Sequence, residues 1–415
     1  MNILFRKAAV LVMALLIAIP SLGGELLSYG EAVDTAARAS PAVLARQAAL
    51  DAAKVGERSA GRLPDPRLVL GIDNLPIDGP DQFSLDADFM TMRSLGVMQE
   101  VPNRARRHAI ARVAGATTRR EMAMLGAEIQ AKRSAAAEAW LAVHFAQDRV
   151  TLVTRLAADY DVLNDAMRGR LAAGSAEAGD VLAIRQEALD LADQRDALAA
   201  RVINARARLD SLTGDYSGRM LLDEIPEIVV DPMRLRFGVA GHAEIAPLTA
   251  EKAMSEGELA EAEASKKGDW SWQLAYSKRG SLYGDMMSAE VSMDLPLWRS
   301  SRQGPTIAAK KLAVERVEAL REEATRRHRA EIDAALADID AYDRQLTRLR
   351  AQAVPLSELR VDLAQSQYRS GTGSLANLFA ARRDLLMQQL RAIDLLEQSL
   401  VTKARLSYLA VEETP

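Results

Sequence analysis

Gly371-Thr372-Gly373-Ser374-Leu375-Ala376-Asn377-Leu378-Phe379-Ala380-Ala381-Arg382 has an earlier copy in the same chain, Gly174-Ser175-Ala176-Glu177-Ala178-Gly179-Asp180-Val181-Leu182-Ala183-Ile184-Arg185. Each reads as a glycine turn, a capping Asn377 or Asp180, an apolar pair, then alanine and arginine. A turn after one long helix and an N-cap before the next is the physical meaning of that order. The same offset relates Ala207-Arg208-Leu209 to Ala404-Arg405-Leu406. The pattern predicts a duplication, with a first repeat over 25–213, a linker over 214–241 and a second repeat over 242–415.

Upstream of the first turn, no proline interrupts the chain after Pro102, and Asn103–Arg170 is expected to be one helix, roughly 100 Å long. Asp180–Leu212 returns. In the second half Ser301–Arg369 and Asn377–Val411 are the equivalents. Ile332, Ala335, Ile339, Tyr342, Leu346, Leu349, Ala353 and Leu356 recur at coiled-coil spacing. Pro355 lies inside that seam and is expected to bend the helix.

Ahead of each long helix comes a shorter one and two strands. Glu31–Arg62 reads as a helix, and Arg67–Ile72 and Met90–Val101 as strands ending at Pro102. His242–Lys267 reads as a helix, and Trp270–Lys278 and Met286–Leu295 as strands ending at Pro296. Val97-Met98-Gln99-Glu100-Val101-Pro102 aligns with Val291-Ser292-Met293-Asp294-Leu295-Pro296 at a slightly shorter offset.

Among 415 residues only 4% are aromatic, while Ala, Leu and charged residues abound, a composition suited to long helices. The net charge of −4 gives no support for nucleic-acid binding. Met1–Gly24 reads as a secretory signal: Arg6 and Lys7, the apolar Ala8–Ile19, then Pro20, Ser21, Gly23 and Gly24. The chain has no cysteine, which excludes disulfides, thiolate metal sites and a lipoprotein anchor.

Two strands between helices cannot stand alone as a sheet, and four are too few to close a barrel. Strands of this length behind a secretory signal suggest an outer-membrane barrel closed by several chains. A helix near 100 Å likewise needs neighbours along its whole stripe.

With these parts in place the chain resembles the TolC-type outer-membrane efflux channels over nearly all of its mature length. The resemblance rests on the helix–strand–strand–long helix–turn–helix plan. It rests also on Gly371, Asn377-Leu378-Phe379-Ala380 and Arg382 with their counterpart at Gly174. Leu63-Pro64-Asp65-Pro66 and Met92-Arg93-Ser94-Leu95-Gly96-Val97-Met98-Gln99-Glu100-Val101-Pro102 are similar to the branch serving heavy-metal-exporting RND pumps.

The resemblance implies a mainly α homotrimer with a small β part. Its α-barrel of long coiled helices would run into a twelve-strand outer-membrane β-barrel, four strands from each chain. It implies a passive Gram-negative outer-membrane channel with a periplasmic extension, working with a periplasmic adaptor and an inner-membrane RND pump. Gly174, Val181, Leu182 and Arg185, with Gly371, Leu378, Phe379 and Arg382, would form the tips that meet the adaptor. Family members often narrow the closed pore with acidic residues near the second tip; here Asp180 is acidic, but the second tip carries Asn377 and Ala380. Heavy-metal cations are the expected cargo. Drugs or small organics are the alternative within this class, and a periplasmic coiled-coil scaffold or adaptor without a pore is the alternative outside it.

Gly371–Ala376 also fits a dinucleotide fingerprint, but that fingerprint must follow a strand, and this one follows a long helix. Met90, Met92, Met98, Met286, Met287 and Met293 gather at the strands. Thioethers suit Cu(I), yet apolar barrel wall explains them better. Trp270, Trp272 and Trp298 suit a membrane interface. His108, His144, His242 and His328 show no second ligand at a metal-motif spacing. No catalytic, cofactor or metal residue is assigned, and an enzyme is not expected.

Overall fold

The computed structural model describes residues 26–172, 178–214, 219–221 and 224–409. The signal-like Met1–Gly24 and the first turn glycine, Gly174, lie outside the described residues.

The expected Glu31–Arg62 helix is two helices, α1 (Tyr29–Ala39) and α2 (Pro41–Glu57). Pro41 biases Ser40 to an extended conformation, φ −62° and ψ 126°, which breaks the helix there. Ser28 caps α1 by accepting from Glu31 N at 3.2 Å.

The strands are β1 (Arg67–Asp73), β2 (Met92–Val101), β3 (Trp270–Lys278) and β4 (Met286–Met293). They form one antiparallel four-stranded sheet in the order β1-β2-β3-β4. The strands of the two halves therefore join through β2 and β3, with Val101 opposite Trp270 and Arg93 opposite Lys278.

The long helix α3 (Arg104–Ala172) has 69 residues, a length of about 100 Å at helical rise. It returns through α4 (Ala178–Thr213). After α4 the chain forms α5 (Pro232–Phe237), a 3-10 turn at Val239–Gly241 and α6 (Ala246–Ala264). His242 thus precedes the helix it was expected to begin.

The second long helix is interrupted. It runs as α7 (Gln303–Arg348), a π turn (Leu349–Ala353) and α8 (Val354–Arg369) before α9 (Leu375–Ser407). Pro355 is the second residue of α8. Its ring clashes with the carbonyl one turn back in a regular helix, and the wider π turn relieves that clash. The extra residue rotates the apolar stripe. Ile332, Ile339, Leu346 and Leu349 are buried, but Leu356 beyond the π turn is exposed. Val361, Ala364 and Tyr368 then take over the packed positions.

Clusters of buried helical residues lie along the described chain. Midway, Trp140, Leu141, Val143 and Phe145 of α3 pack with Ala32, Val33 and Ala36 of α1, Leu209 and Ala404. The Trp140 indole N–H donates to Leu27 O at 3.1 Å, and Tyr29 meets the ring edge-on at 5.7 Å. Beside this, Leu235, Val239 and Ile245 pack on Ala324, Ile332 and Ile339 of α7 and on Leu406. Toward the turns, Val153, Tyr160 and Met167 of α3 and Ile184, Leu191 and Leu198 of α4 recur at heptad spacing. They close on Leu375, Leu378, Phe379 and Leu386 of α9.

Sheet and helices are joined at one tight crossing. Asn103 N and Nδ2 donate to Asp269 Oδ1 at 2.8 and 2.9 Å, and Arg106 Nη1 donates to Asp269 Oδ2 at 2.6 Å. Asn103 Oδ1 accepts from Arg106 N at 2.9 Å and so caps α3. A Cβ on Gly268 would stand 1.8 Å from Asp294 O, so only glycine fits next to Asp269, where β3 begins beside the end of β4.

Candidate functional site

Because opposed residues share a face, the strand register sorts the sheet into two surfaces. One row holds Leu68, Val97, Leu274 and Ala289; the next holds Leu70, Leu95, Tyr276 and Met287. Trp272 with Val291 and Trp270 with Met293 extend this face toward the helices. Nearly all of it is apolar, and nothing among the described residues covers it: Leu70 is 71% exposed and Met287 72%. The other face carries Arg67, Met98, Gln273 and Glu290 in one row and Val69, Gly96, Ala275 and Ser288 in the next. A Cβ on Gly96 would lie 2.9 Å from that of Ala275, so this is the close-packed, small-residue side.

The apolar band runs from Trp270 to Tyr276, about 20 Å along the strand. Tryptophans bound its helix end. At the other end lie Tyr276 and the loop aromatics Phe89 and Tyr283, with rings 6.5 Å apart. Apolar on one face, polar or small on the other and aromatic at both rims is the pattern of a transmembrane barrel wall. β1 and β4 each leave an unpaired edge. No helix among the described residues is long and apolar enough to cross a membrane.

At the far end of the helices, Gly371 takes φ +75°. Thr372 N and Gly373 N donate to Gln367 O at 3.0 and 2.9 Å and end α8. Ser374, not Asn377, is the N-cap: its Oγ accepts from Asn377 N at 3.2 Å, because α9 already begins at Leu375. Asp180 likewise lies inside the first turn of α4, where its charge complements the helix dipole.

The apolar pairs also differ from the expectation. Leu378 and Phe379 are 2% and 4% exposed, because they fill the seam between the hairpins rather than face outward. Val181 packs against the same seam, whereas Leu182 is 67% exposed and Arg185 is exposed. Phe379 stacks on Tyr160 at 5.2 Å, and the Arg382 guanidinium lies over the Tyr160 ring, 5.8 Å from its centroid. Burial pushes the Tyr160 hydroxyl up to about 12, Glu187 adding to the effect and Arg382 and Arg383 opposing it. Tyr160 Oη, Asn164 Oδ1 and Arg382 Nη1 are enclosed without a hydrogen-bond partner among the described residues. Tyr160 escaped the sequence reading, although its heptad spacing to Val153 and Met167 was there to find.

The fold also gathers ionisable groups that lie far apart in sequence. His242 Nδ1 and His328 Nε2 are 2.9 Å apart in the interior. His328 Nδ1 lies 2.9 Å from Glu244 Oε2 and 3.8 Å from Glu331 Oε2. Burial, then the neighbouring His328, pushes His242 down to about 4. Spacing among histidines alone could not find this cluster. The His328/Glu331 pair, one helical turn apart, and the His242/Glu244 pair were its local traces.

No protein-family model and no curated protein sequence matches the chain. Solved structures do. CusC, described with transmembrane channel formation, superposes with a TM-score of 0.78 at 13% identity, over 92% of each chain. A membrane protein from Pseudomonas aeruginosa gives 0.77 at 17% identity, over 92% of this chain and 89% of that one. The outer-membrane channel OprN gives 0.76 at 17% identity over the same shares. The chain therefore has the fold of these outer-membrane channels, helices and sheet alike.

Proposed function

We propose that this chain is the outer-membrane channel of a tripartite efflux system and works as a homotrimer with a twelve-strand barrel. The uncovered apolar face of the sheet carries the reading. Left in water, that face and the open edges of β1 and β4 would aggregate. A ring of copies in a bilayer satisfies both at once. The fold shared with outer-membrane channels supports it. Leu356, Leu359 and Leu363 stay exposed along α8, where a neighbouring chain's helices would cover them.

In this reading the helices form a periplasmic conduit, closed at the hairpin tips until an adaptor and an RND pump bind. Leu182 and Arg185, with the Gly174 and Gly371 turns, face the adaptor. Asp180 and Asn377 border the constriction, and the π turn before Pro355 is the place where the helix pair bends. Heavy-metal cations as cargo rest on the Leu63–Pro66 and Met92–Pro102 stretches.

Fractionation followed by planar-bilayer recording tests the channel. A detergent-extracted trimer with small openings that grow when Gly371→Pro alters the tip is the expected result. A soluble, non-trimeric protein without conductance would favour the pore-free scaffold. Export assays with metal salts and with dyes then separate the two cargo classes.

A further inference from the structure

We propose that Glu244, His328 and Glu331 form a binding site for a first-row divalent transition cation of the Zn2+ class, independent of the pore. Their ligand atoms all lie within 4.8 Å of one another. This does not rest on the channel reading.

The arrangement is that of a built site. His328 is 2% exposed, and its Nδ1 points at the carboxylates without a hydrogen-bond partner, although Glu244 Oε2 is only 2.9 Å away. Two donor atoms this close but out of hydrogen-bond alignment have the spacing of adjacent ligands on one ion. Bonds of about 2.0–2.1 Å to nitrogen and oxygen put such neighbours about 2.9–3.4 Å apart.

The two carboxylates divide their oxygens in the same way. Glu244 Oε1 lies 2.6 Å from Arg327 Nη2 and Glu331 Oε1 3.6 Å from Arg327 Nε, while both Oε2 atoms face His328. Arg327 thus orients the pair from outside and leaves one oxygen of each for the ion. Behind the ring, His242 Nδ1 meets His328 Nε2 at 2.9 Å. With His328 Nε2–H donating to His242 Nδ1, the His328 Nδ1 lone pair faces the carboxylates, the outer-shell arrangement usual for a metal-bound imidazole.

One imidazole and two carboxylates suit a borderline cation, and solvent at the exposed side of Glu331 can complete the coordination. The ion would tie the segment leading into α6 to the middle of α7.

The test is calorimetric titration of ZnCl2 into the tag-free, detergent-purified protein, with MgCl2 as comparison. Wild type should bind one Zn2+ per chain and far less Mg2+. Glu331→Gln, on a partly exposed side chain, should weaken binding at least about tenfold without loss of fold, and Glu244→Gln likewise. His242→Gln should weaken it about 10- to 100-fold. His108→Gln should bind as wild type. Co2+ should give a visible d–d band that Glu331→Gln removes or shifts. Zn2+ binding no stronger than Mg2+ binding, or unchanged by both glutamate variants, would overturn the site and leave the carboxylates as ion-pair partners of Arg327.

Discussion

The Arg382 guanidinium sits 5.8 Å from the Tyr160 ring centroid, so the start of α9 is tied directly to the end of α3. The two hairpins at the turn end of the molecule are thereby fastened across the boundary between the chain's halves. A contact of this kind is worth about 0.5–2 kcal/mol, depending on desolvation. Arg382→Ala should therefore lower the unfolding temperature slightly and raise the conductance of the reconstituted protein. Unaltered conductance would remove Arg382 from the closure of the tip.

Leu378 and Phe379 predict the opposite balance. Both are buried, so Leu378→Ala should cost about 2–5 kcal/mol and Phe379→Ala about 3–5 kcal/mol of stability. Leu182→Ala removes an exposed side chain and should leave thermal unfolding unchanged while weakening capture of the adaptor. A stable Phe379→Ala protein would contradict the inward placement.

Neighbouring residues on β3 test the two faces of the sheet. Leu274→Lys puts a charge on the apolar face and should cost about 2–4 kcal/mol near a bilayer midplane, seen as loss of the trimer band. Gln273→Lys lies on the other face; it should assemble normally and shift ion selectivity toward anions. Equal assembly of both variants would count against a barrel wall.

Asp269 sets a pH dependence. Its burial raises the carboxyl pKa, but the hydrogen bonds from Asn103 and Arg106 outweigh that and hold it below the ordinary aspartate value. A carboxyl lowered in the folded state stabilises the fold above its unfolded pKa, and the benefit is lost as pH falls through the folded value. Thermal unfolding followed downward from about pH 5 should fall more steeply for wild type than for Asp269→Asn. Parallel curves would mean that the crossing does not depend on this charge.

Much of this was legible in the sequence because long helices and strand pairs carry strong local signals. Proline and glycine marked the ends of α3 and α8, and alternation marked β3. What could not be read was set by pairs remote in sequence. The joining of β2 to β3, the stacking of Phe379 on Tyr160 and the meeting of Glu244 with His328 all depend on how helices lie against each other. Other differences were local, like the break at Pro41. Ser374 outcompeted Asn377 as a cap because the helix began two residues sooner. The π turn moved Leu356 out of the seam because one extra residue rotates everything after it.

The crossing at Asn103 and Asp269 joins residues 166 apart in the chain. β1 and β2 therefore leave the ribosome long before the strand that β2 must pair with. The first hairpin has to be kept from pairing with strangers through all of that interval, since closing so long a loop is slow and its edge is open meanwhile. Biogenesis of this protein is thus a waiting problem. The sheet should therefore form later than the helices when the protein refolds, and far-UV and tryptophan signals should separate the two phases.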